Sequence, residues 1–254
     1  MVSIKKKGVI YTCIIGNYDQ LNNHSYISSE RDYFCFTDNL SIKNKNNATW
    51  GIKPLAFDKM DNIRNNRWHK LHPHILFPEY ERSVYVDGNT NFLSDKIFDD
   101  FDASIKVSKK ISLGMHSSRN CIYDELEACL KFGKDDPEVM KAQIELIRKD
   151  GFPEKFGLFE HHIIYREHHD KAVIKIMEDW WWWVENYSRR DQLSLMYVLW
   201  KNNFMVLPLS DIPYRKSKKV FFRRSGKHVS KEELLWRKKM FCELFEKIKK
   251  NDPR

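Results

Sequence analysis

The chain has 254 residues, 42% hydrophobic and 14% aromatic, enough apolar material for one large α/β domain or two small ones and too much for a disordered chain. Nine glycines and eight prolines exclude a linker-rich or fibrous architecture. A formal net charge of +9 points to a polyanionic partner (nucleic acid, anionic membrane, phosphorylated substrate) or simply to a lysine-rich solvated surface.

The apolar run Val9 to Ile15 is short, and Asn17, Tyr18 and Asp19 follow at once. It predicts a first strand over Gly8 to Ile15, ending in the turn Gly16-Asn17, and not a signal peptide. Tyr33 to Thr37 predicts a second strand ending at Asp38-Asn39, and "SIKNKNNATWG" a polar loop. Ile63, Trp68 and Leu71 predict a helix that stops near Pro73, with Arg64, Arg67 and Lys70 near one face. Val84 to Val86 predicts a third strand, which runs into Asp87-Gly88-Asn89. Strand, connection, strand, helix, strand is the rhythm of an open α/β sheet.

Further on, "ISLGMHS" predicts a strand, and Tyr123 to Phe132 and Pro137 to Lys149 predict helices. "GLFEHHIIYRE" predicts another strand. Ala172 to Tyr187 predicts a helix carrying tryptophans 180–183, and Arg190 to Trp200 a second helix with Asp191 near its start. "FMVLPL" predicts a late strand. From Ser230 the tail combines a capping box, Ser230 with Glu233, and an apolar stripe beside lysines and an arginine. This basic amphipathic helix either lies on an anionic membrane or packs on the domain with a solvated face. The expected organisation is one domain over residues 1–229 and a tail over 230–254. No stretch approaches the ~18–20 apolar residues that cross a bilayer. The five cysteines include no C-x-x-C pair, and Cys13 and Cys35, each inside an apolar run, predict small buried hydrophobes; the expectation is a soluble protein in a reducing, cytoplasmic context.

Polar residues stand where the predicted strands end: Asn17, Asp38, Asp87. Ligands of open α/β sheets bind beyond the carboxyl ends of strands, although turns also favour these residues. Neither G-x-G-x-x-G nor a P-loop is present. Asp87 and Asn89, with Gly88 permitting a tight bend, could share one Mg²⁺ or Mn²⁺, ions that prefer oxygen ligands. The plain alternative is a hairpin or loop cap. Arg64, Arg67 and Lys70 suit a diphosphate or a solvated helix face. His116, Arg119, Tyr123, Asp124 and Glu125 crowd together, which also fits a loop entering a helix with acids in its first turn. Glu160, His161, His162, His168 and His169 form a second cluster. Strand alternation puts His161 and His162 on opposite faces, a poor metal pair, and the lack of H-E-x-x-H argues against a zinc hydrolase. Asp191 at a helix start suits a base, a sugar-hydroxyl anchor or an ordinary first-turn acid. The tryptophans predict core and cavity lining, or a stacking platform for sugar.

"IYTCIIGNYDQL", "DYFCFTDN", "RNNRWHKLHPHILFPEYERSVYVDGN", "MHSSRNCIYDELEA", "GLFEHHIIYRE" and "SRRDQLSLMYVLWK", in this order over residues 9–201, resemble a glycosyltransferase-like family once catalogued as a domain of unknown function. It occurs in plant proteins of cell-wall and mucilage synthesis and in bacterial polysaccharide loci. The resemblance implies a GT-A fold: a Rossmann-like mixed open sheet flanked by helices. It implies transfer of a hexose from a nucleotide-sugar donor, UDP-sugars first, with Mn²⁺ or Mg²⁺. By the same resemblance, Thr12, Gly16, Asn17, Tyr18 and Asp38 would surround the nucleotide, and Arg64, Arg67 and Lys70 would contact the diphosphate or donor sugar. Asp87, Gly88 and Asn89 stand where GT-A enzymes have D-x-D. Asn89 keeps a carbonyl ligand but removes a charge, which leaves metal dependence open. His228 is the candidate third ligand.

An inverting transferase needs a general base. Asp191 is the first candidate and Glu160 the second; a retaining enzyme needs none on that face. His116, Arg119, Tyr123, Glu125 and His161 would hold the acceptor, a glycan or lipid-linked saccharide of capsule, O-antigen or lipooligosaccharide synthesis. The tail would bring the protein to the inner face of the cytoplasmic membrane. A binding protein of the same fold without activity is the main rival. No RRM or helix-turn-helix pattern supports a nucleic-acid partner.

Overall fold

The structure, a computed structural model, describes residues 6–16, 18–42 and 49–222. Strand β1 (Gly8–Ile14) is buried along its whole length, as a central strand covered on both faces must be. Strand β2 (Arg31–Thr37) pairs with it in parallel, and β3 (Gly51–Pro54) adds at the edge. Helix α1 (Asn62–Leu71) starts at Asp61, whose carboxylate accepts from the N–H groups of Ile63 and Arg64. Pro73 then opens the single turn α2 (Pro73–Leu76) at the position proline tolerates best. Strand β4 (Ser83–Val86) pairs with the other side of β1.

Strand β5 (Thr90–Phe92), helix α3 (Lys96–Lys106), strand β6 (Ile111–Met115) and helices α4 (Ile122–Lys131) and α5 (Pro137–Lys149) follow. Then come β7 (Phe159–Arg166), α6 (Lys171–Asn186), a 3-10 turn at Asp191–Leu193, α7 (Leu195–Lys201), β8 (Leu207–Pro208) and β9 (Val220–Phe222). The main sheet has seven strands in the order β3-β2-β1-β4-β7-β6-β8, and β5 pairs with β9 in a small second sheet. Strand β7 runs antiparallel to both neighbours, and the other main-sheet pairings are parallel. This is the mixed, Rossmann-like sheet of the GT-A fold. One buried cluster joins α1 and α4 to α7 on one face; the other places Ile97 and Phe101 of α3 on the opposite face.

Several elements differ from the sequence expectation, the unanticipated short strands β5 and β9 among them. The edge strand β3 follows directly on the polar loop. Helix α3 was not anticipated, although Ile97, Phe101 and Ser104 recur on its buried side. The helix expected from Arg190 breaks into a 3-10 turn and α7: the Asp191 carbonyl accepts from the Ser194 N–H at 3.4 Å, a 3-10 bond, and also from the Trp180 indole at 2.9 Å and the Ser194 hydroxyl at 3.3 Å. The strand expected in "FMVLPL" shrinks to Leu207–Pro208. The expected helix over residues 230–254, with Asn17 and His228, lies outside the described residues. No described helix is long and apolar enough to cross a membrane.

Candidate active site

The strand order reverses between β1 and β4, the place where open α/β sheets bind ligands. A cavity of about 740 Å³ opens there. Gly16, Tyr18 and Asp19 line it after β1, Asn66, Arg67 and Lys70 from α1, and Asp87, Gly88 and Asn89 after β4. The far wall is His116 to Arg119, Glu125, Glu160 to His162, Arg189 to Gln192 and Arg215. The β6–β7 register jumps from Leu113↔Ile164 to Gly114↔Glu160. Bulges of this kind re-aim side chains, and here Glu160, His161 and His162 all reach the cavity, against the alternation expected of a flat strand.

Asp191 is 4% exposed. Its Oδ2 lies 2.8 Å from Lys70 Nζ, 3.3 Å from Arg67 Nε and 3.6 Å from His161 Nδ1. Burial by itself would raise the carboxyl, but the Arg67 guanidinium and the Lys70 ammonium outweigh it and hold it well below the ordinary carboxylate value. Asp191 is thus a counter-ion fixed by its neighbours, not by a helix dipole as the sequence suggested.

Glu160 is used differently. Its Oε1 accepts from Ser117 Oγ at 3.0 Å and Arg215 Nε at 2.9 Å. Its Oε2 is buried without a hydrogen bond, 3.2 Å from His162 Nδ1. Glu125 accepts from Arg119 Nε at 2.6 Å. Burial and Arg119 push His116 down to about 4. Its Nδ1 accepts from the N–H groups of Ser118 and Arg119, and its Nε2 lies 3.3 Å from the Arg119 guanidinium.

Residues Ser188 to Gln192 form a strap tied to distant elements. Ser188 N donates to Gln143 Oε1 at 3.0 Å, Ser188 Oγ to Asp135 Oδ2 at 2.7 Å, and Gln192 Nε2 to the Phe159 carbonyl at 2.9 Å. Trp180 holds the strap at Asp191.

The TOD1/MUCI70 glycosyltransferase-like domain family matches residues 2–215. The chain belongs to this family. No curated protein matches it. As a TOD1/MUCI70 glycosyltransferase-like domain it has a general glycosyltransferase role, with a sugar donor and an acceptor as its substrates.

In this TOD1/MUCI70 domain the residues at the end of β4 fit part of the shell of a hard divalent ion. Asp87 and Asn89 both line the cavity, and Asn89 Oδ1 is buried without a hydrogen-bond partner. The Asp87 N–H donates to the His162 carbonyl at 2.9 Å, which fixes the strand end. Gly88 is needed for close approach: a Cβ there would stand 2.8 Å from the Ile14 side chain. Gly16, by contrast, has φ +65° and tolerates little else. No group of three or more His, Cys, Asp or Glu gathers as a metal centre among the described residues.

Several residues expected in the site stand off its wall. Thr12 is buried within β1. Asp38 accepts from the Gly16 N–H at 2.9 Å and holds the turn. Arg64 is spent on the carbonyls of Val184 and Tyr187, at 2.9 and 2.6 Å, and on Asp61. The Tyr123 hydroxyl donates to the Phe152 carbonyl at 2.7 Å. None of the tryptophans 180–183 lines the cavity; Trp180 and Trp181 are core and Trp182 is half exposed. Sequence analysis missed Asn66, Arg189, Arg190, Gln192 and Arg215. "SRRDQ" was the available signal for three of them, since they flank Asp191.

Proposed function

We propose that this domain transfers a hexose from a nucleotide-sugar donor, UDP-sugars first among them, to a glycan or lipid-linked saccharide in surface polysaccharide synthesis (capsule, O-antigen or lipooligosaccharide). The observation that carries the proposal is the cavity at the strand-order reversal, where Asp87 and Asn89 face the Arg67 and Lys70 cations of α1. Charged forks and ammonium groups of this kind suit a diphosphate.

Glu160 is the better-placed base, because Asp191 is committed to two cations. In the proposed reaction Glu160 Oε2 accepts the proton of the acceptor hydroxyl. The hydroxyl oxygen bonds to the anomeric carbon as the bond from that carbon to the diphosphate breaks, its electron pair leaving with the diphosphate. Arg67 and Lys70, held in place by Asp191, stabilise the charge that develops there. Asp87 and Asn89 would hold Mn²⁺ or Mg²⁺, which supplies further positive charge against the leaving group when bound. His116, Arg119, Glu125 and His161 would orient the acceptor.

A thermal-shift screen against UDP-, GDP-, CMP- and dTDP-sugars, each with Mn²⁺, Mg²⁺ or EDTA, tests this. A ligand that binds only the native state must raise the melting temperature. One nucleotide class is expected to do so, and no shift with any donor would favour the inactive-binder alternative. The tail is proposed to seat the protein on the inner face of the cytoplasmic membrane. Removing residues 230–254 should weaken binding to anionic liposomes and spare donor binding; unchanged liposome binding rules the tail out as the anchor.

A further inference from the structure

Most arginines around the cavity are already spent. Arg64 satisfies two carbonyls and a carboxylate. Arg119 donates to Glu125 at 2.6 Å, and Arg189 Nε lies 3.0 Å from Asp135. Arg190 is held by weaker partners. Its Nε is buried without a hydrogen bond, as is that of Arg189, its Nη2 stands 3.8 Å from Glu125 Oε1, beyond hydrogen-bonding reach, and its side chain pairs with the Cys129 thiol, a weak acceptor. Glu125 is meanwhile committed to Arg119. Arg190 nevertheless lines the cavity, on a strap whose neighbouring residues are tied to α5, α6 and β7. It stands next in sequence to Asp191, the counter-ion of Arg67 and Lys70.

A buried donor left unmet is costly. A guanidinium held rigidly with donors to spare is arranged for an incoming anion, and its planar fork matches phosphate oxygens. We propose that Arg190 is an anion-binding residue of the cavity and that its ligand is the diphosphate of the donor. This rests on the nucleotide-sugar proposal above. Arg190 thereby completes, from the strap side, the cationic wall that Arg67 and Lys70 form from α1.

Inorganic diphosphate is the probe, because it carries no base or sugar. Its affinity is measured by calorimetry in EDTA on the full chain, for wild type, Arg190→Met and Arg190→Gln. Wild type is expected to bind, and both variants to bind about tenfold or more weaker, the usual effect of losing hydrogen bonds to a charged group. Their melting temperatures should stay near wild type, since the side-chain partners of Arg190 are the weak Cys129 thiol and a Glu125 carboxylate 3.8 Å away rather than a close ion pair. If Arg190→Met fails to fold, Arg190→Gln decides. Equal affinity in a folded variant, or no binding by wild type, overturns the inference. Diphosphate binding that needs Arg190, in a protein that takes no nucleotide sugar, would support the anion site and overturn the donor proposal instead.

Discussion

Asp191 keeps its charge at 4% exposure only because Lys70 and Arg67 stand within 2.8 and 3.3 Å. The same neighbours make it a poor proton acceptor, whereas Glu160 has one carboxylate oxygen without a hydrogen bond. The two residues should therefore fail differently. Asp191→Asn leaves Lys70 buried without its counter-charge, which typically costs about 3–5 kcal/mol. Urea unfolding should show that loss, together with weaker donor binding. Glu160→Gln should lower turnover by about 10²–10⁴ while donor affinity stays. Near wild-type turnover in Glu160→Gln would remove it as the base. Because its folded-state value is depressed, the Asp191 contribution is complete above the ordinary carboxylate range and fades only as pH falls below it.

At the scale of elements, the site depends on α1, the bulge in β7 and the strap Ser188 to Gln192. Trp180 links α6 to the strap. It is fully buried, and a buried indole N–H needs an acceptor, which it finds in the Asp191 carbonyl. Trp180→Phe keeps most of the apolar volume and removes that bond, leaving a buried carbonyl with less support. The expected loss is about 1–3 kcal/mol, with faster amide exchange across the strap measured by hydrogen exchange. Trp182→Phe, at a position 49% exposed, should change neither. Identical exchange in both variants would mean that the strap holds without the indole.

The whole molecule buries several histidines in neutral form. Burial pushes His24 and His168 down to about 3, and His69 and His72 down to about 4. In the unfolded chain they titrate near ~6.5. Below that pH the unfolded state takes up protons that the native state refuses, so stability falls as pH drops from ~6.5 towards the folded-state values. Each such group contributes up to about 1.4 kcal/mol per pH unit. Urea midpoints should be flat above neutrality and fall steeply between about pH 6.5 and 5. A midpoint unchanged across that range would mean that the buried histidines do not govern acid stability. Turnover lost over the same range must be separated from unfolding before it is assigned to the site.

The sequence determined β1, β2, β4 and α5, because each is an apolar run or a helical repeat closed by local turn or capping chemistry, and Asp136 with Pro137 starts α5 by such a signal. It also determined that Asp87 stands at a strand end. It could not separate Arg64 from Arg67, since the same spacing places both on α1; only the approach of α6 spends Arg64, and only Asp191 claims Arg67. Lys70 and Asp191 lie 121 residues apart, and no periodicity links them. Nor could alternation foresee His161 and His162 in one cavity, because the register jump of β7 appears only in its pairing with β6. Local chemistry determined the elements, while the tertiary structure decided which charges meet, because ion pairing and burial depend on distances through space that sequence separation does not report.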